Sequence, residues 1–341
     1  MPWGSPPWFP SKKYDELFKA TDGFSAANFI GRGRYGSVYK GTLCLRNTRI
    51  EVAVKFFDLQ QSGSSKSFLV ECEALSKIRH RNLISIVTCC SGFESHQNEF
   101  KALVFEFMAK NSLDKWLHPD LHSMQSSVPT PQGLTLMQRL SIAADIADAL
   151  DYLHNNCQPP VVHCDLKPSN ILLDEDLNAH VGDFGLAKIL SDSDSEGKIS
   201  INSKSTFGIK GTVGYLPPEY GEGSEVSPSG DMYSFGIILF EMLTGKVPTH
   251  SIFTDGLTLQ KHVEIVFPDK LMDIVDPVML PAGETYLRDL QDKSQGQGTI
   301  SSIIFSVTKL AMLCCKQMPT ERICTRDTAI EMNRIRAQYA I

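Results

Sequence analysis

From Val161 to Asn170 the chain reads VVHCDLKPSN, and thirteen residues after that asparagine come Asp183, Phe184 and Gly185. Two carboxylates and an amide arrive in a fixed order at a fixed interval. That set suits magnesium-nucleotide chemistry: Asp165 can accept the proton of an attacking hydroxyl, while Asn170 and Asp183 supply hard oxygens to magnesium ions that bridge phosphates. No other common fold asks for this order, and the joint spacing makes a chance match a weak competitor.

The remaining bulk features bound the answer without naming it. At 341 residues the chain exceeds the size at which one core stops growing, yet no long polar linker divides it, so two tightly coupled lobes are expected. With 33 basic against 39 acidic residues the net charge is -6, which gives no electrostatic case for nucleic acid or an anionic membrane as the main partner. The nine cysteines are odd in number and sit mostly in apolar runs, which reads as reduced thiols in an intracellular compartment rather than a disulfide framework or a zinc site. The N-terminal MPWGSPPWFPSKK has no apolar signal region, and no stretch approaches the roughly 20 apolar residues that span a bilayer, so a soluble, cytoplasmic polypeptide is expected.

Patterning divides the chain into a leader (1–24), a β-rich lobe with a hinge (25–108) and a mainly helical lobe (109–341). In the leader, Tyr14, Leu17 and Phe18 fall on one helical face that can dock on the first lobe. FIGRGRYGSVYKGTL, EVAVKFFDL and FKALVFEFM read as strands, and SFLVECEALSKI as a helix with Phe68, Leu69, Cys72, Leu75 and Ile78 on one stripe. Further on, Leu136, Leu140, Ile142, Ala143, Ile146, Leu150 and Leu153 give the helical run 136–155 a buried face. Residues 119–133, 191–205 and 281–298 read as polar loops.

Gly31, Gly33 and Gly36 form GRGRYG, whose backbone can approach phosphates closely. The pattern also opens helices in dinucleotide-binding folds, but here the β-branched and aromatic SVYKGTL follows, which favours a hairpin. Lys55, in VAVK, alternates with Val54 and Phe56 and points to the cleft; a cation on an apolar strand needs a partner, for which Glu71 is the expected residue and Glu73, two positions on, faces elsewhere. In the loop itself Asp165 is the expected base, Lys167 steadies the transferred phosphoryl group and Asn170 holds a second magnesium. His163 reads as a packing residue. The segment from Asp183 to Glu219 carries Ser191, Ser193, Ser195, Ser200, Ser203, Ser205 and Thr206 as acceptor hydroxyls, although a solvated loop is rich in serine for ordinary reasons. Thr212 is expected to reach Lys167 and Asp165, and Glu219 to pair with Arg322 as a structural link.

Taken together, GRGRYGSVYKGTL, VAVK, RHRNL, VHCDLKPSNILLDE, GDFGLAK, GTVGYLPPEYGEG and GDMYSFGIILFEMLTGKVPT resemble a plant receptor-like serine/threonine protein kinase, from about Tyr14 to the C-terminus. More narrowly the chain is similar to the cytoplasmic domain of leucine-rich-repeat receptor kinases of the innate-immunity group. The resemblance implies an α+β, bilobal protein kinase fold. It implies Phe105 as gatekeeper, Glu106 to Met108 as the adenine-binding hinge, and Ile30, Val38, Ala53 and one of Leu172 and Leu173, with Leu173 preferred, as pocket walls. Asp231 would prop the catalytic loop. Cys164 stands where most kinases carry the arginine that clamps a phosphorylated activation segment, the non-RD feature, which implies another mode of control and low intrinsic turnover. Pro218 replaces the usual alanine before Glu219.

The function so implied is transfer of the γ-phosphate of Mg-ATP, with Mn2+ as a substitute metal, to Ser or Thr hydroxyls of protein substrates including the chain itself. The setting would be receptor-type defence signalling, with a co-receptor or other kinases as partners. Lys167 and Thr212 favour Ser/Thr over Tyr by the same resemblance. A weakly active kinase or pseudokinase serving as a scaffold is the alternative, supported by Cys164 and opposed by the full set of Lys55, Glu71, Asp165, Asn170 and Asp183. A small-molecule phosphotransferase is opposed by the serine-rich segment and GTVGYLPPEY.

Overall fold

The computed structural model describes residues 14–45, 48–93, 99–119, 133–190, 211–280 and 297–339. Residues 1–13 of the leader, the hydroxyl-rich stretch 191–210 and most of the other two polar loops lie outside the described residues.

The first lobe is a five-stranded antiparallel sheet with strands β1 (Phe29–Gly33), β2 (Gly36–Leu45), β3 (Thr48–Phe57), β4 (Ile86–Phe93) and β5 (Glu99–Glu106), in the spatial order β1-β2-β3-β5-β4. Strand alternation divides its side chains between two faces. Val52, Val54, Ala102, Val104 and Cys90 go to the outer face, where they form a small core with Leu17 of helix α1 (Tyr14–Ala20). Tyr14 of that helix packs against Phe18, Phe24, Phe56 and Phe100, so the leader helix docks through aromatic edges on the sheet. Phe18 itself is half exposed.

Lys55, Leu103 and Cys89 form one cross-strand rung on the other face, Lys55 opposite Leu103 and Leu103 opposite Cys89. Over that face lies α2 (Ser64–Lys77), which buries Ser67, Phe68, Glu71, Ala74 and Leu75. Leu69, placed on the buried stripe by sequence, is 54% exposed. At 100° per residue it lies on the far side of the Glu71–Leu75 line. Strand β4 escapes sequence reading, because ISIVTCCSGF lacks clean alternation.

The second lobe is helical. After α3 (Leu113–Leu117), α4 (Leu136–Asp151) starts in a capping box, Thr135 Oγ1 accepting from the Gln138 N–H while Gln138 Oε1 accepts from the Thr135 N–H. It buries Leu140, Ile142, Ala143, Ile146 and Leu150, and Leu153 is buried in the π-helical turn Tyr152–Asn156 that follows. Short pairs β6 (Val161–Val162) with β9 (Lys188–Ile189), and β7 (Ile171–Leu173) with β8 (Ala179–Val181), carry the loops of the cleft. Helices α5 (Pro218–Gly221), α6 (Pro228–Thr244), α7 (Leu259–Val266), α8 (Gln297–Cys314) and α9 (Thr325–Tyr339) complete the lobe, with α6 almost wholly buried at its centre. No helix among the described residues is long and apolar enough to cross a membrane.

Candidate active site

A cavity of about 310 Å³ separates the lobes. Its roof is Ile30, Gly31, Gly33, Val38 and Ala53, its back Phe105, Glu106, Phe107 and Met108, and its floor Leu172, Asn170 and Asp183. Two assignments change here. Leu172 lines the cavity and Leu173 does not: on the three-residue strand β7 neighbouring side chains face opposite ways, and Leu173 is fully buried in the second lobe's core. Gly36 lies outside the cavity as well. It pairs with Phe57, and a Cβ there would sit 1.9 Å from the Phe56 carbonyl oxygen, so its lack of a side chain serves strand pairing. By contrast a Cβ on Gly31 would meet nothing within 4 Å, which leaves open space along the roof.

Lys55 projects from β3 into the cleft, where its Nζ lies 2.8 Å from Glu71 Oε2 and 2.7 Å from Asp183 Oδ1. Glu73 lies on the exposed side of α2, with Lys77. Burial alone would pull the Lys55 ammonium down, but the Glu71 and Asp183 carboxylates outweigh it and hold Lys55 above its ordinary range. Burial pushes Glu71 up to about 7 against the pull of Lys55. Asp183, which burial also raises, ends below the usual carboxylate range because Lys55 sits beside it. Ser67, one turn before Glu71, donates to the Gly185 carbonyl at 3.2 Å and ties α2 to the same segment.

At the second centre, Thr212 Oγ1 donates to Asp165 Oδ1 at 2.6 Å and accepts from Lys167 Nζ at 2.7 Å, while that Nζ lies 3.0 Å from Asp165 Oδ2. Asn170 Nδ2 donates to the Asp165 carbonyl at 2.8 Å. The loop that carries these groups hangs from α6: Asp231 accepts from the backbone N–H of His163 at 2.7 Å and of Cys164 at 2.9 Å. Cys164 is buried with φ +68°, the bend that turns both N–H groups toward Asp231. His163 accepts from the Asp165 N–H through Nδ1, directs Nε2 at the Gly182 carbonyl, and packs its ring 5.0 Å from Phe184. It is a buried strut with no path to a reacting atom. Below, Glu219 and Arg322 form a two-pronged pair at 2.6 and 2.7 Å across 103 residues of chain.

Sequence reading missed several lining residues, Ile84, Asn111, Ser112 and Lys115 among them, because they reach the cleft from segments without a motif. It also missed His154, 2.9 Å from Asp231, and a trio around the buried Glu241, which lies 2.7 Å from His118 and accepts from the Tyr215 hydroxyl at 2.6 Å. The acid inside the apolar run GIILFEMLT was the available signal for that trio.

A divalent cation fits the floor. Asp183 is half exposed to the cleft, and Asn170, whose amide nitrogen is committed to Asp165, keeps its Oδ1 as a donor. Among the described residues there is no group of three or more His, Cys, Asp or Glu that could hold a metal ion.

The Protein kinase domain family matches residues 24–331. The chain is 44% identical over 328 residues to Receptor kinase-like protein Xa21 of Oryza sativa subsp. japonica, covering 96% of the chain and 30% of that protein. It is 44% identical over 326 residues to Probable LRR receptor-like serine/threonine-protein kinase At3g47570 of Arabidopsis thaliana, covering 96% and 31%. LRR receptor-like serine/threonine-protein kinase EFR of the same plant is 41% identical over 326 residues, covering 96% and 29%. The chain thus spans about 30% of the length of these relatives. A sheet lobe and a helical lobe enclosing this cleft, together with a family match over nearly the whole chain, establish that it belongs to the protein kinase family, with similarity to plant leucine-rich-repeat receptor-like serine/threonine kinases.

Proposed function

We propose that this chain is an active serine/threonine protein kinase that transfers the γ-phosphate of ATP to hydroxyls of protein substrates, itself included. The observation that carries this reading is the cluster of Asp165, Lys167 and Thr212 in direct contact, below a cleft that also gathers Lys55, Glu71, Asn170 and Asp183. The adenine would lie between Val38 and Ala53 above and Leu172 below, against the Glu106–Met108 backbone, with Phe105 behind it. Lys55, held by Glu71, supplies a cation for the phosphates. Asp165 orients the incoming hydroxyl and takes its proton; Thr212 fixes the carboxylate, and Lys167 offsets charge on the phosphoryl group in transit. Catalysis is positioning plus electrostatics. Asn170 and Asp183 would hold magnesium, which when bound neutralises charge on the phosphates.

Names of the relatives support Ser/Thr specificity and a receptor setting; in such a setting the kinase would lie on the cytoplasmic side, with a co-receptor or another kinase as partner. The scaffold alternative is disfavoured, because a degenerate site loses one of these groups and here all are present, in two contact sets at one cleft. The test is transfer of labelled γ-phosphate by the purified protein to itself and to a generic Ser/Thr substrate, beside Asp165→Asn. Incorporation lost in the variant supports the proposal. Equal background in both, with Mg-ATP binding intact, would return the chain to the scaffold reading.

A further inference from the structure

The hairpin that roofs the cleft is joined to helix α2 through Tyr35, in the turn between β1 and β2. The Tyr35 carbonyl accepts from the Asp58 N–H at 2.8 Å and from the Ser64 hydroxyl at 3.3 Å. Its half-buried ring packs on the core under α2 and lies over Gly63, where a Cβ would stand 3.5 Å from Tyr35 Cε1. These are the residues that start the helix: Gly63 is its cap, with φ +89° and a carbonyl that accepts from the Ser67 N–H at 2.9 Å, and Ser64 is its first residue, wholly buried. The same helix carries Ser67, bonded to the Gly185 carbonyl, and Glu71, bonded to Lys55.

Two features make this junction matter. The hairpin has glycine at positions 31, 33 and 36, so few side chains fix the height of the roof, and an anchor at its turn has to do so. Glu71, for its part, keeps its charge against burial only through Lys55, so a small outward shift of α2 weakens the pair. Tyr35 itself does not line the nucleotide cavity.

We propose that Tyr35 is a positioning residue that clasps the roof of the cleft to the first turn of α2, so that a nucleotide held under the roof also holds Glu71 against Lys55. The consequence for phosphotransfer deepens the kinase reading above and rests on it; the hold of Tyr35 on α2 does not. A second route from nucleotide to α2 exists, because Lys55 faces the cavity and touches Glu71 directly. The clasp is therefore tested by removing Tyr35 while Lys55 stays in place.

Hydrogen exchange of the hinge and of α2 is measured with and without a non-hydrolysable ATP analogue and magnesium, beside steady-state kinetics, for the unaltered protein, Tyr35→Phe, Tyr35→Ala and Ser64→Ala. In the unaltered protein and in Tyr35→Phe, which keeps the ring, the analogue is expected to slow exchange in both segments. In Tyr35→Ala at saturating analogue the hinge stays protected and the slowing in α2 is lost, with Ser64→Ala between the two. The KM for ATP rises about tenfold in Tyr35→Ala and kcat falls, while the KM for a peptide substrate is kept. A slowing of α2 as large in Tyr35→Ala as in the unaltered protein overturns the proposal, since Lys55 then carries the coupling alone. So does a variant that loses thermal stability and kcat with the KM for ATP unchanged, which is the mark of a merely structural side chain. Absence of hinge protection in the unaltered protein condemns the kinase reading instead. The clasp is then judged on the nucleotide-free protein, where α2 exchanges severalfold faster in Tyr35→Ala if Tyr35 holds it and at an equal rate if it does not.

Discussion

Asp183 keeps about half of its surface open to the cleft although one of its oxygens is held 2.7 Å from Lys55. The other oxygen is the one left for a cation, so Asp183→Asn keeps the shape and removes the charge that a divalent ion needs. Transfer is expected to fall to background with an unchanged melting temperature; retained transfer would remove the metal role. Thr212 acts one step further from the chemistry. Its hydroxyl bridges Lys167 and Asp165 Oδ1, at 2.7 and 2.6 Å, so Thr212→Val removes the bond that fixes Oδ1 and leaves the carboxylate held only through Oδ2. A loss of about a hundredfold in kcat is expected, the scale of a misplaced catalytic group, with KM for ATP nearly constant because Thr212 does not line the nucleotide cavity. Steady-state kinetics against ATP and peptide separate the two constants.

At the scale of elements, the catalytic loop depends on α6 through one carboxylate. Burial raises Asp231, but His154, His163 and the loop's N–H groups outweigh it and bring it below its ordinary range. A carboxyl depressed in the folded state contributes stability that is fully present above its unfolded value, about 4, and is lost as pH falls through the lower folded one. Urea midpoints should therefore drop from pH 5 toward pH 3, and Asp231→Asn, already weaker at pH 7, should show a shallower drop; parallel slopes would deny Asp231 that share. The loop's chemistry was legible because Asp165, Lys167 and Asn170 lie within six residues, where spacing alone constrains geometry. Facing was harder to read. Leu172 and Leu173 differ only in which way a three-residue strand turns them, Leu69 borders the stripe read from sequence yet faces away from the line the helix buries, and Gly36 resembles its neighbours until the Phe56 carbonyl is seen beside it.

For the whole molecule, the Glu219–Arg322 pair links the end of the cleft's segment to the connection between α8 and α9, with both side chains buried and Arg322 also donating to the Ser229 and Lys316 carbonyls. A buried ion pair contributes little over an apolar replacement, yet losing one member strands the other charge. Glu219→Ala should therefore cost about 3–5 kcal/mol, because the Arg322 guanidinium stays buried without its two carboxylate bonds. Glu219→Leu combined with Arg322→Met should recover much of that loss by removing both charges. Urea unfolding followed by far-ultraviolet circular dichroism measures both variants. Equal destabilisation in the single and double variants would mean that the carbonyl bonds of Arg322, rather than the ion pair, hold this part of the second lobe together. Recovery in the double variant would place the cost in the stranded charge and leave the pair as a device of geometry, aligning the floor of the cleft with the helices beneath it.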